Sequence, residues 1–167
     1  MDFELVKWEN KYLHDFIDAT SDPHLTDNMC EVLPCPMDTA FAAEYLRERM
    51  LNSEECQICR AVVSDGRLVG GVDVIFGTGL FQKNAELSVW IAEDFRGQGL
   101  GASVIAKMCA DCFDNYDIIR IEAHPFSDHA QSIAALKKAG FQHEGTMHKA
   151  IFKNNRSYDY QVFALVR

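Results

Sequence analysis

Hydrophobic positions along the chain follow two rhythms, and their order predicts a mixed α/β fold. Phe3–Trp8 reads as a short first strand. Leu13, Phe16 and Ile17 then recur at helical spacing across Asn10–Thr20, and Pro23 is expected to mark the end of that helix. Leu33-Pro34-Cys35-Pro36 cannot be regular helix, because two prolines break the hydrogen-bond ladder. Asp38 stands where an N-cap belongs, ahead of a helix over Ala40–Leu51 with Tyr45, Leu46 and Met50 on its buried face. Strand formers fill Cys56–Ser64, Asp65-Gly66 predicts a hairpin turn, and Leu68–Phe76 returns as the partner strand. After a loop over Gly77–Lys83, Asn84–Ile91 completes a three-strand meander.

The second half keeps the same grammar. Leu100, Val104, Met108 and Cys112, four apart, predict a helix over Gly99–Phe113. Ile118–Ala123 reads as a strand and His124–Asp128 as a loop. A helix over Gln131–Ala139 is closed by Gly140 at a C′ position. Phe141–Phe152 and Ser157–Val166 form a last strand pair around an Asn154-Asn155 turn. No repeat, low-complexity tract or linker interrupts the pattern, so residues 1–167 are expected to form a single domain.

Composition narrows the classes. A chain of 167 residues that is 48% hydrophobic can bury a sizeable core. No apolar run approaches the roughly 20 residues a membrane helix needs. Met1-Asp2-Phe3-Glu4 carries no basic or apolar leader, so a soluble cytoplasmic protein with no membrane partner is expected. The formal charge of −9 argues against a nucleic-acid surface and mildly favours cationic partners such as amines. Six cysteines include two CxxC pairs, Cys56/Cys59 and Cys109/Cys112, which raise the question of zinc. Paired CxxC motifs in zinc sites are usually about 15–20 residues apart. These two are much farther apart, and the first lies in a strand-like run where positions three apart face oppositely. Reduced, mostly buried thiols and no metal are the expectation.

Chemistry concentrates between Glu86 and Gly101. A strand runs into Phe95-Arg96-Gly97-Gln98-Gly99-Leu100-Gly101 and on into a helix. Glycines let backbone approach a ligand, and the amides of a helix N-terminus attract anions. Arg96 adds a permanent charge able to fork onto phosphate oxygens. The turn therefore points to a pyrophosphate. A P-loop would need Gly-Lys-Ser/Thr where Leu100-Gly101-Ala102 stands, and a dinucleotide turn needs GxGxxG after an early strand. Neither fits.

The turn instead resembles the (Gln/Arg)-x-x-Gly-x-(Gly/Ala) signature of the GNAT family of N-acetyltransferases, here Arg96 to Gly101. Ile121-Glu122-Ala123, His129-Ala130-Gln131-Ser132 and Lys138-Ala139-Gly140-Phe141 resemble the strand, helix and "GF" turn of that family. Leu33-Pro34-Cys35-Pro36, Glu144-Gly145, Asn154-Asn155-Arg156 and Asp159-Tyr160 are similar to its ribosomal-protein N-terminal acetyltransferase branch. The resemblance covers nearly the whole chain. It implies one domain with a central, mostly antiparallel, twisted sheet of about seven strands flanked by helices. It also implies transfer of the acetyl group of acetyl-CoA (acetyl-coenzyme A) to a primary amine, a protein N-terminus or a small amine, in a ternary complex.

By this resemblance Arg96, Gly97, Gln98, Gly99, Leu100, Gly101 and Ala102 would cradle the pyrophosphate. Backbone groups of Val89, Trp90 and Ile91 would meet the pantetheine arm and the thioester carbonyl. Glu86, on the same strand face as Ser88 and Trp90 by period-two alternation, is the expected general base, its pKa raised by partial burial. Ser132 is the candidate to protonate the departing thiolate. His129 stands where the branch usually has a coenzyme A-contacting asparagine, and Ile151 where some members carry a glutamate base. Tyr158 and Tyr160 lie too far along for assignment, and His124, His143 and His148 read as solvated or core histidines. The acceptor pocket is expected in Ser21–Asp38, Gly77–Lys83 and Ala150–Tyr160. A silent acyl-coenzyme A-binding module is the competing class, and exposed strand edges offer a surface for a homodimer.

Overall fold

The computed structural model describes residues 1–27, 29 and 33–167; the part of the expected acceptor segment at 28 and 30–32 lies outside them. Seven strands hydrogen-bond in the order β1-β2-β3-β4-β5-β7-β6. They are β1 (Glu4–Val6), β2 (Gln57–Ser64), β3 (Arg67–Phe76), β4 (Asn84–Ile91), β5 (Arg120–Ala123), β6 (Gln142–Lys153) and β7 (Arg156–Val166). The helices are α1 (Leu13–Thr20), α2 (Pro23–Asp27), α3 (Thr39–Met50), α4 (Leu100–Asn115) and α5 (Ala130–Lys138). Antiparallel pairing joins β1 to β2, β5 to β7 and β6 to β7, whereas β4 and β5 run parallel. A parallel pair needs a crossover, and α4 supplies it.

The chain packs as two compact units. One comprises Met1–Val74 with Val89–Leu100, the other Ile75–Ser88 with Gly101–Arg167, so β3 and β4 contribute residues to both. In the first unit, Trp8, Phe16, Tyr45 and Trp90 form an aromatic cluster among the buried residues. In the second, Leu87, Val104, Ile105, Met108, Ile121, Leu136 and Phe163 are buried. The predicted α4 stripe of Leu100, Val104, Met108 and Cys112 is buried throughout.

Local chemistry accounts for most boundaries. The Asp38 carboxylate accepts a 2.9 Å hydrogen bond from the Phe41 amide, an N-cap to the third helical position of α3. Asp38→Ala should cost about 1 kcal/mol, read as a lowered denaturation midpoint. Helix α5 ends in a Schellman motif: the Gly140 amide donates to Lys137 O and the Phe141 amide to Leu136 O, both at 3.1 Å, with Gly140 at φ +97°.

Some expectations need correction. Pro23 opens α2 rather than ending a helix, because a first-turn position has no amide to lose. Helix α1 ends at Thr20 as expected, but residues Asn10–Tyr12 wind as a 3-10 turn instead of α-helix. Ile119 is 52% exposed, since β5 begins only at Arg120. Strand β6 is interrupted between Met147 and Ile151, where Lys149 takes φ +53°. Asp159 holds that irregularity, accepting from the Lys149 amide at 2.8 Å and from His148 Nδ1 at 3.0 Å, and these bonds keep its carboxyl below the usual range.

Among the described residues no helix is long and apolar enough to cross a membrane. Of the cysteines described, Cys59, Cys109 and Cys112 are buried while Cys35 and Cys56 are exposed. Burial pushes the Cys59 and Cys109 thiols up to about 12. Among the described residues no group of three or more His, Cys, Asp or Glu is arranged to hold a metal ion.

Candidate active site

Strand β4 alternates buried and exposed residues as a half-buried strand should, with Ala85 and Leu87 in and Glu86 and Ser88 out. Then the alternation breaks. Val89 is half-buried and Trp90 is fully enclosed, its ring edge-on to Phe16 at 5.9 Å. The period-two face expected for Glu86, Ser88 and Trp90 therefore divides, with two exposed residues and one core indole. Two glycines of β3 make room for this indole and its backbone. A Cβ at Gly70 would stand 2.5 Å from Trp90 O, and one at Gly71 would stand 2.6 Å from Trp90 Nε1.

Beyond β4 the chain makes a short 3-10 turn at Glu93–Phe95 and enters the glycine segment. Gly97 and Gly99 take φ +74° and +84°, conformations that most L side chains adopt only under strain. A Cβ at Gly97 would meet no atom within 4 Å, so that side of the turn is open. Gln98 Nε2 donates to Asp94 O at 3.1 Å, tying the turn to its own start. Leu100 and Ala102 bury their side chains, which leaves only their backbone to offer a ligand. The first amides of α4 lack intrahelical acceptors and sit at the positive end of a 16-residue helix. Open space at left-handed Gly97, ahead of the positive end of a long helix, suits a phosphate ester.

Arg96 departs from the simple reading. Its Nε donates to Ile91 O at 2.8 Å and its Nη2 to Asp22 Oδ2 at 3.1 Å. The guanidinium thus ties the turn back to β4 and to the segment before α2, with its charge balanced by a carboxylate.

Downstream on the chain, β5 places Arg120, Glu122 and His124 on one face, with Ile121 and Ala123 buried on the other. Parallel register sets Glu86 directly beside Glu122. Two adjacent carboxylates repel, and His124 relieves the pair. Its Nδ1 lies 3.2 Å from Glu86 Oε1 and its Nε2 lies 3.4 Å from Glu122 Oε2. Carboxylates only accept, so Nδ1–H donates to Glu86. Arg120 anchors Glu122 at 2.6 Å and forks onto Glu144 of β6, with Nη1 at 2.9 Å from Oε1. The Tyr160 ring of β7 covers the imidazole at 5.3 Å.

This arrangement overturns the expected raised pKa of Glu86. The bond from His124 holds its carboxyl below the ordinary glutamate range despite some desolvation. In return Glu86, and then Glu122, hold the His124 imidazole above its ordinary value against the opposing effect of burial. His124 was not singled out from sequence, although Arg-x-Glu-x-His at period two could have placed it on the same face as Glu122.

His129 is the half-buried N-cap residue of α5, without a side-chain capping bond. Ser132 occupies the third position of α5, half-buried, and its hydroxyl makes no hydrogen bond among the described residues. Ile151 pairs with Tyr158 beyond the β6 irregularity.

The family model described as "Acetyltransferase (GNAT) domain" matches residues 37–162. The chain belongs to the GNAT acetyltransferase family. Its relatives include the uncharacterized N-acetyltransferase YoaA of Bacillus subtilis (strain 168), 31% identical over 85 residues, which are 51% of this chain and 48% of YoaA. Over that match the chain spans about half the length of its relative. The Microcin C7 self immunity acetyltransferase MccE, solved with acetyl-CoA and AMP, superposes with a TM-score of 0.88 at 21% identity, over 99% of this chain and 93% of that one. RimL, a ribosomal L7/L12 alpha-N-protein acetyltransferase solved with coenzyme A, superposes with a TM-score of 0.84 at 16% identity, over 98% and 93% of the two chains. At such identities these likenesses are of fold, and they agree with the mixed α/β, seven-stranded GNAT architecture found here.

Proposed function

We propose that this GNAT domain transfers the acetyl group of acetyl-CoA to a primary amine by direct transfer in a ternary complex. The observation that carries the reading is the turn after β4, with left-handed Gly97 and Gly99, open space at Gly97 and a long helix starting at Leu100. Backbone amides from Gly97 to Ala102 would hold the pyrophosphate, with His129 a further contact to coenzyme A. Backbone groups of Val89, Trp90 and Ile91 would hold the pantetheine arm and polarise the thioester carbonyl. The buried Trp90 ring fixes that stretch of backbone in advance.

A thioester is already activated, so the protein's tasks are positioning and proton handling. The acceptor loses two protons: one as the ammonium becomes amine, one as the tetrahedral intermediate collapses. One ends on the coenzyme A sulfur and the other leaves to solvent. Ser132, in the first turn of α5, is suited to deliver the first, and the Glu86–His124 pair to receive protons from the nitrogen. The acceptor is a protein N-terminus, as the RimL-like motifs suggest, or a small cationic amine, as the charge of −9 favours.

The test is thiol release from acetyl-CoA across a panel of free-N-terminus peptides, polyamines, amino acids and amino sugars. Multiple-turnover release with at least one acceptor is expected. Tight acetyl-CoA binding with no transfer to any amine would sink the transferase reading in favour of an acyl-coenzyme A-binding module.

A further inference from the structure

We infer that His124 is the catalytic group that takes the proton from the acceptor amine, while Glu86 beside it recognises the incoming ammonium; this rests on the transferase reading above. The geometry separates the two roles. The Glu86 side chain is 55% exposed and presents a carboxylate to solvent, whereas that of His124 is 14% exposed and held on three sides. Glu86 of β4, Glu122 of β5 and the ring of Tyr160 of β7 face the imidazole, and Arg120 and Glu144 stand behind Glu122.

Protons move most efficiently to a base whose pKa lies near the working pH. The bond from His124 depresses Glu86, which places it far from an acceptor ammonium, whether an N-terminus near pKa ~8 or a lysine-like amine near ~10. The same bond raises His124 above the ordinary imidazole value. Nδ1–H is committed to Glu86, so in the forward step the Nε2 lone pair bonds the ammonium proton, directly or through one water, as the N–H bond of the ammonium breaks. The freed lone pair attacks the thioester carbon. The imidazolium then returns its Nε2 proton to solvent, which restores the neutral ring with Nδ1–H on Glu86.

Activity requires neutral imidazole, so kcat/KM falls as pH drops below the His124 pKa. Removing the Glu86 charge lowers that pKa and moves the acid limb to lower pH. The experiment uses the full chain, the best amine of the panel and acetyl-CoA. It records pH profiles of kcat/KM for wild type, Glu86→Gln, His124→Gln and His124→Asn, and titrates labelled histidines by NMR, with His124 assigned from its missing signal in the variants.

We expect the wild-type acid limb to coincide with the His124 titration. In Glu86→Gln both should move down together while KM for the amine rises. Either His124 variant should lose about 10²–10⁴-fold in kcat with acetyl-CoA affinity and melting temperature retained. Near-wild-type kcat in a folded His124 variant, or an acid limb that stays put while the imidazole titration moves, overturns the assignment. Absence of turnover by the wild type with every amine overturns the transferase reading itself, and with it this inference.

Discussion

Phe16→Ala should be the most destabilising single truncation in the first unit, by about 3–5 kcal/mol. Phe16 has no exposed surface and lies at the hub of four rings. It stacks on Tyr45 at 4.6 Å and meets Trp8 and Trp90 edge-on at 6.0 and 5.9 Å. Each aromatic pair contributes about 0.5–1.5 kcal/mol beyond burial, and the truncation loses three of them besides leaving a cavity. At roughly 2–4 °C per kcal/mol for a chain of this size, the melting temperature should fall by about 6–20 °C. Phe16→Leu retains most of the volume and should fall by clearly less. A loss below about 1 kcal/mol for Phe16→Ala would show that the site collapses around the gap and that the cluster is not the hub described. The functional reach of the substitution runs through Trp90, whose ring the cluster pins and whose backbone is proposed to meet the thioester.

That hub also shows what was legible in the sequence. Phe16 lies on a helical stripe, Tyr45 on another and Trp90 in a strand, and each pattern is local, so each element was predicted near its observed bounds. Strand β4 matched its expected limits, Asn84–Ile91, because β-formers run between a loop and a glycine turn. Partnership over distance was harder to read. Arg96 finds Asp22 across 74 residues through the packing of two loops, and His124 finds Glu86 across 38 through the register of β4 and β5. Nothing in a period-two pattern states which strand lies alongside. The raised pKa expected for Glu86 failed for the same reason: the imidazole that outweighs desolvation there comes from beyond the neighbouring strand β5, which alternation along β4 does not reveal. The irregularity in β6 was equally hidden, since its cause, Asp159 bonding Lys149 and His148, lies on the partner strand. Pro23 was readable as punctuation, but a first-turn proline and a terminating one look alike without the fold.

Gly97→Asn should leave the fold nearly as stable as wild type and weaken acetyl-CoA binding tenfold or more. The two effects separate because the glycine has two independent reasons to be there. Its φ of +74° strains most side chains by about 1–2 kcal/mol, but asparagine visits this region routinely. A Cβ there would meet no protein atom within 4 Å, so the fold has room for a side chain. What such a side chain would obstruct is the approach of a ligand to the turn's amides. Tenfold in affinity corresponds to about 1.4 kcal/mol, roughly the loss of one well-made hydrogen bond to a phosphate oxygen. Gly97→Val adds backbone strain to the same obstruction and should lower both melting temperature and affinity. Isothermal titration with acetyl-CoA, alongside thermal denaturation of the three proteins, makes the comparison. If Gly97→Asn binds as tightly as wild type while Gly97→Val is only less stable, the glycine serves the backbone alone and the pyrophosphate is held elsewhere. If both bind weakly and the asparagine variant melts like wild type, the open side of the turn is the face that the coenzyme approaches.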